Sequence, residues 1–171
     1  SLSIAREFPE LTTGYGKIAD IGCGAGFPSL VLAMAFPNLR ITAIDSTGKK
    51  TAFVERAVAA LGLRNVRVVH GRSNELNCKP QFRHQFDVVT ARAVAAAPII
   101  YLDACDFIKR RTGRFILYKT PQQAAEDLPA LEIACRKSPV IWRTTEVFEL
   151  PGGAGQRLFL YSVPGSEAGK P

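Results

Sequence analysis

Lys17-Ile18-Ala19-Asp20-Ile21-Gly22-Cys23-Gly24-Ala25-Gly26-Phe27-Pro28 is the stretch on which the fold turns. Residues 17–21 read as a short apolar strand. Three alternating glycines follow, then a mostly apolar run, 27–36, which reads as a helix stopped by Pro37-Asn38. Glycines at a strand-to-helix turn let the backbone pass close to a ligand, because no Cβ stands in the way. The helix start adds unpaired N–H groups and the positive end of a dipole. Pro28 suits the first turn, where its missing N–H goes unneeded. A ligand-binding loop is therefore expected, with Gly22, Cys23, Gly24, Gly26 and Phe27 around the ligand and the Cys23 side chain packed inside the loop.

Outward from this loop the same alternation continues. Residues 39–44 form a second strand ending at Asp45, and 47–61 a long helix with Phe53, Val54, Ala57, Val58 and Leu61 at helical spacing. Gly62 stops that helix. A β-branched strand at 66–69 and a polar stretch at 70–85 precede a strand at 86–90. Helix 95–110, strand 114–118 and helix 121–137, interrupted near Pro129, come next. Strands 140–150 and 157–163 flank the turn Pro151-Gly152-Gly153-Ala154-Gly155.

Strands alternating with helices imply right-handed crossovers and a doubly wound, mostly parallel sheet. The last two strands lack a helix between them, so they are expected to pair antiparallel at one edge. Seven strands in this arrangement form the α/β layout of the Rossmann-like class I methyltransferases, whereas dehydrogenases usually continue with another parallel unit. One domain is expected over residues 1–163, with a flexible tail at 164–171.

Composition bounds the class. The chain has 171 residues, 47% hydrophobic and 22% charged, as in an ordinary globular domain. No apolar run reaches the ~20 residues of a membrane helix. The N-terminus has no signal-peptide pattern, and Ser1 in place of methionine points to a processed or trimmed chain. Four scattered cysteines and two histidines argue against a metal site or a disulfide framework and suit the cytoplasm. A net charge of +7 favours a polyanionic partner.

The ligand follows from what accompanies the glycines. In the dinucleotide fingerprint G-x-G-x-x-G the last glycine's place is held here by Phe27. Asp20, at the end of the first strand, would repel a pyrophosphate but suits a cation. S-adenosylmethionine carries a sulfonium and an α-ammonium group. Asp45, about twenty residues further on, can accept both ribose hydroxyls. Asp45 and Ser46 could instead cap a helix, but the combination favours a methyltransferase.

Asp20-Ile-Gly-Cys-Gly-Ala-Gly-Phe-Pro, Asp45-Ser46-x-x-Lys49-Lys50-x-x-Phe53, Gly71-Arg72 and Thr90-Ala91-Arg92-Ala93 together resemble the glucose-inhibited division protein B family. Its members are bacterial methyltransferases acting on guanine N7 of small-subunit (16S) ribosomal RNA. The resemblance runs from Ser1-Leu2 to about Val163. It implies that Gly22 and Phe27 line the S-adenosylmethionine site, that Asp45, with Ser46 beside it, holds the ribose, and that Ser73 and Asn74 contact the adenine. Arg92 matches the arginine of the family's Ser-Arg-Ala motif, with Ala91 in place of serine. Lys119 matches its Lys-Gly motif, with Thr120 in place of glycine. Arg92 and Lys119 are thereby the expected catalytic pair, Arg92 also touching the cofactor. The helical segment that precedes the first strand in the family is essentially absent, so the RNA contacts of that segment are expected to be missing.

The residues point the same way. Ligands of open α/β sheets bind beyond the carboxyl ends of the strands, and Arg72, Arg92 and Lys119 lie just past predicted strand ends. Cations beside a cationic cofactor need an anionic partner, which RNA phosphates would supply through Arg72 and Lys119. Lys109-Arg110-Arg111 ends a helix, where the dipole favours cations, and is expected at the opposite edge. No Asn/Asp-Pro-Pro-aromatic motif follows the fourth strand, and no cysteine suits cytosine C5 chemistry. Guanine N7 has an in-plane lone pair and no proton to lose, so its methylation needs placement and no general base. His70 and His84 then read as surface or supporting residues. The expected partner is small-subunit RNA or the 30S subunit, met by a monomer without metal or membrane. A small-molecule methyltransferase and a cofactor- or RNA-binding module without activity are the alternatives.

Overall fold

A computed structural model of the chain describes residues 1–14, 16–136, 138 and 140–165. The chain runs α1 (Ser3–Glu7), β1 (Lys17–Ile21), α2 (Ser29–Ala35), β2 (Arg40–Asp45), α3 (Gly48–Ala60), β3 (Val66–His70) and α4 (Ser73–Leu76). It continues through β4 (Val88–Arg92), α5 (Ala97–Ala104), β5 (Arg114–Lys119), α6 (Pro121–Ala134), β6 (Val140–Thr144), β7 (Phe148–Glu149) and β8 (Gln156–Pro164).

The sheet has eight strands, seven of them in the order β3-β2-β1-β4-β5-β8-β6, with β7 pairing β8 off that path. The first five are parallel, while β8 runs antiparallel to both β5 and β6. This is the class I methyltransferase architecture read from the alternation of elements, with one strand more than expected. The extra strand arises because 140–150 breaks after Thr144. Thr145 stays tied to β8 there: its N–H donates to Phe159 O at 2.9 Å, and its Oγ1 accepts from Phe159 N at 3.0 Å.

Alternation along the central strands feeds two cores. Ala19, Ile21, Val89, Ala91, Phe115 and Leu117 face a cluster with Ile100 and Tyr101 of α5 and Leu131 of α6. Ile18, Val88 and Ile116 face the other side, against Leu32 and Ala33 of α2 and Ile4 and Phe8 of the N-terminal segment. Helices therefore cover both faces, as a parallel sheet requires.

Several boundaries differ from expectation. Helix α2 starts at Ser29, because the N–H groups of Gly26 and Phe27 both turn back to Cys23 O, at 2.8 and 3.2 Å. Helix α5 is shorter than 95–110, ending at Ala104 in a 3₁₀ turn through Phe107. The polar stretch 70–85 contains α4, anchored by buried Leu76. Helix α6 runs through Pro129 without interruption. Pro129 and Ala125, four residues back, are both exposed, so the carbonyl freed by the missing N–H meets water. The residues ahead of β1 pack as α1 and a 3₁₀ turn, Phe8 stacking edge-on against Phe159 and Tyr161. Of the expected tail, residues 166–171 fall outside the described residues.

Candidate active site

The glycine loop leaves β1 at the carboxyl edge of the sheet. Gly22, Gly24 and Gly26 all have positive φ, at 67°, 56° and 88°. At Gly22 a Cβ would also collide with the Val94 side chain, and at Gly26 it would come within 2.5 Å of Leu30 Cδ1. Alanine is therefore excluded at Gly22 by both backbone and packing. The Cys23 N–H donates to Ile44 O at 3.0 Å, carrying the β1–β2 ladder into the loop. The Cys23 side chain packs with Leu30, Ala43 and Val54, where burial pushes its thiol up to about 12.

Asp45 stitches this loop to the next. One carboxylate oxygen accepts from Gly24 N at 3.0 Å, the other from Thr47 N at 2.9 Å, and Lys50 Nζ lies 3.9 Å away. A carboxylate has roughly four acceptor positions, so both oxygens keep capacity for a ligand hydroxyl. Beside it lies a cavity of about 350 Å³ whose walls include Gly22, Asp45, Ser46, Arg72, Ser73 and Asn74. The structure thus gathers six sequence-predicted site residues, contributed by the ends of β1, β2 and β3, around one space. Small-molecule sites occupy roughly 300–1,000 Å³.

The remaining predicted residues sit elsewhere. Asp20 shares a strand face with Ile18, on the α2 side. Its carboxylate accepts from the Ser29 hydroxyl at the start of α2 and is absent from the cavity wall. Burial raises it to about 7 against that hydrogen bonding, and its Oδ1 has no partner among the described residues. Asp20, expected among the cofactor's contacts, is thus buried and bound to Ser29. Cys23, Gly24, Gly26 and Phe27 likewise lie outside the wall, Phe27 being exposed beside Arg92.

The three cations separate. Arg72 is exposed at the cavity rim, and Arg92 is exposed with its guanidinium 5.7 Å from the centroid of the Phe27 ring. Lys119 is only 7% exposed: its Nζ lies 2.8 Å from Asp127 Oδ2 of α6 and donates to Ala95 O at 3.0 Å. The charge expected to meet RNA is thus paired with an acid inside the domain. Its neighbour Thr120 caps α6, trading hydrogen bonds with Gln123. Lys119 instead lines a second cavity of about 400 Å³, which shares Ala93 and Val94 with the first and is walled also by Tyr118, Gln123 and Glu126.

Sequence reasoning missed Lys50, Thr47, Val94 and Asp103 in the first wall. Asp103 had a visible signal, as the one charge in the apolar helix Ala97–Ala104. His70 Nε2 lies 3.1 Å from Ser46 O and supports that turn. His84 and Arg110 belong to neither wall and are hydrogen-bonded to each other at 3.2 Å, while Lys109 pairs with Asp87 at 2.6 Å. These basic residues stand in a turn after α5 and do not end a helix.

Comparison with known proteins defines the class first. A solved structure of a SAM dependent methyltransferase from Aquifex aeolicus has this fold, with a TM-score of 0.65, 17% identity, and 92% of this chain and 87% of that chain covered. The architecture is that of the class I methyltransferases. The sequence then narrows the class, because the rRNA small subunit methyltransferase G family (GidB) matches residues 1–151. This chain belongs to that family. Ribosomal RNA small subunit methyltransferase G of Lactobacillus delbrueckii subsp. bulgaricus is 36% identical over 153 residues, covering 90% of this chain and 63% of that protein. The Exiguobacterium sp. relative of the same name is 38% identical over 160 residues, covering 92% and 64%. The chain therefore spans somewhat less than two thirds of these relatives' length.

Proposed function

We propose that this chain transfers the methyl group of S-adenosylmethionine to N7 of a guanine in small-subunit (16S) ribosomal RNA. The observation that carries this reading is the convergence of Gly22, Asp45, Ser46, Ser73 and Asn74 on one cavity at the carboxyl edge of the sheet. Membership of the rRNA small subunit methyltransferase G family supports the substrate.

The residues present fit the cofactor. Asp45 would accept the ribose hydroxyls with the lone pairs that Gly24 and Thr47 leave free. Ser73 and Asn74, at the start of α4, would meet the adenine edge. Gly22 would leave room for the methionine end, whose positive charge Asp20, at the end of β1, would favour when ionised. When bound, S-adenosylmethionine supplies an electrophilic methyl on a sulfonium.

The chain's own task is then placement. Guanine N7 presents a lone pair and sheds no proton, so no side chain need act as a base. Arg92, with Phe27 beneath it, stands where it can hold an RNA phosphate or the base. Arg72 would bind phosphate at the rim. The second cavity, across Ala93-Val94, would take the target base, and the Lys119–Asp127 pair would hold its wall by fixing Ala95. On this reading residues 1–163 form the methyltransferase domain, acting as a metal-free monomer on cytoplasmic 30S subunits or their RNA. Among the described residues no helix is long and apolar enough to cross a membrane.

The test is to incubate the chain with methyl-labelled S-adenosylmethionine and under-methylated small subunits. Label is expected in the RNA with wild type, and not with Arg92→Ala. Label entering only a small molecule, or none with RNA despite cofactor binding, would reject the RNA substrate.

A further inference from the structure

A further cavity lies away from the proposed active site. It measures about 630 Å³ and opens at the amino-terminal edge of the sheet. Its charged residues are Lys17, Arg40, Arg64 and Arg67, and no acid lines it. Lys17 and Arg40 begin β1 and β2 and are paired across those strands, while Arg67 lies near the start of β3 and Arg64 just ahead of it. All four are exposed, and among the described residues none is in an ion pair. The nearby acid, Asp87, is occupied: it accepts the Lys17 backbone N–H at 2.9 Å and pairs with Lys109.

Four like charges around one concavity repel each other, and an anion in it relieves that repulsion. The walls are also held in place. The Arg67 guanidinium sits 5.4 Å over the ring centroid of buried Phe82, and Asn65 Nδ2 donates to Ala33 O at 3.1 Å. Gln81, Gln85 and Asn38 add neutral hydrogen-bonding groups. Cations spread over three strand starts suit a chain of phosphates better than a single small anion.

We propose that this basic cavity is a second RNA contact, taking phosphodiester groups of the same RNA whose base enters at the opposite edge. It rests on the methyltransferase reading above for its substrate. From Arg40 to Asp45 the sheet is six residues deep, so an RNA reaching both edges spans about 17 Å of protein. The contact reads backbone and not sequence, and its role is to add affinity and fix orientation.

The experiment compares wild type with Arg40→Gln/Arg64→Gln/Arg67→Gln, measuring fluorescence anisotropy of a labelled small-subunit rRNA fragment over roughly 50–200 mM salt. Removing three phosphate contacts is expected to lower the salt slope of log K by about 2–3 and to weaken binding at least about tenfold at the low end. S-adenosylmethionine affinity, measured on the same variant, is expected to stay within about twofold, since the cofactor cavity lies at the other edge. If the triple variant loses cofactor binding too, the single variants decide, each expected to lower the slope by about 0.7–0.9. Unchanged slope and affinity overturn the proposal. If Arg72→Gln alone weakens RNA, the second contact fails while the methyltransferase reading stands. If wild type binds S-adenosylmethionine but no RNA, both fall together.

Discussion

Replacing Lys119 by methionine would strand the Asp127 carboxylate in the interior. The two side chains are 8% and 9% exposed, with Nζ 2.8 Å from Oδ2. Removing one partner of a buried pair costs about 3–5 kcal/mol, because the remaining charge has neither water nor a counter-ion. The Ala95 carbonyl loses its Nζ–H donor as well. For a domain of this size the loss corresponds to a fall in Tm of roughly 6–20 °C. Asp127→Leu is expected to cost a similar amount, because it leaves the ammonium buried. The double variant Lys119→Met/Asp127→Leu is expected to recover most of the loss, since a buried pair exchanged for packed apolar side chains is often near neutral. Urea unfolding of the four proteins supplies the double-mutant cycle. A Lys119→Met variant of full stability and sharply reduced RNA affinity would refute this reasoning and return Lys119 to the role of a free cation.

Further perturbations test the neighbouring groups. Asp20 has its folded-state pKa raised, to about 7, so the native state holds its proton more tightly than the unfolded chain. The associated stability is complete below about pH 4 and is lost as pH rises through about 7, a span worth up to about 4 kcal/mol. Asp20→Asn should abolish that component in unfolding measured from pH 4 to 8, and a variant that keeps the full wild-type slope would contradict it. Asp45→Ala removes the acceptor of the Gly24 and Thr47 N–H groups, so it should cost about 1–3 kcal/mol and weaken S-adenosylmethionine about 10–100-fold by calorimetry. Unchanged affinity would take Asp45 out of the ribose role. Arg92→Ala touches an exposed side chain and should shift Tm by no more than about 2 °C while lowering kcat about 100-fold or more. Activity that survives intact would make Arg92 a loop charge.

Much of this was legible in the sequence, and the exceptions have physical reasons. The glycine loop announced itself because its positive φ values admit hardly anything else, and Asp45 because it ends a strand beside that loop. Lys119 was read as lying past a strand end, yet β5 extends to it. The period of two then sets Lys119 on the face of Phe115 and Leu117, under α6. On α6 the buried residues are Ala124, Asp127 and Leu131, a helical stripe in which Asp127 must find a partner. Both patterns were present in the chain, but they meet only in three dimensions. For Asp20, alternation puts it with Ile18 on the α2 side, where it accepts from the Ser29 hydroxyl. The basic cavity escaped notice because Lys17, Arg40, Arg64 and Arg67 are scattered in sequence and gathered only by the parallel register.

The central claim is the reaction itself, and its most direct measurement is the identity of the methylated nucleoside. Small-subunit RNA from an under-methylated source, treated with the chain and labelled S-adenosylmethionine, would be digested to nucleosides and resolved by mass spectrometry. The account predicts label in 7-methylguanosine. Label in an amino-methylated or C5-methylated nucleoside would contradict it, because those reactions need a general base or a nucleophile and the account assigns this site placement alone.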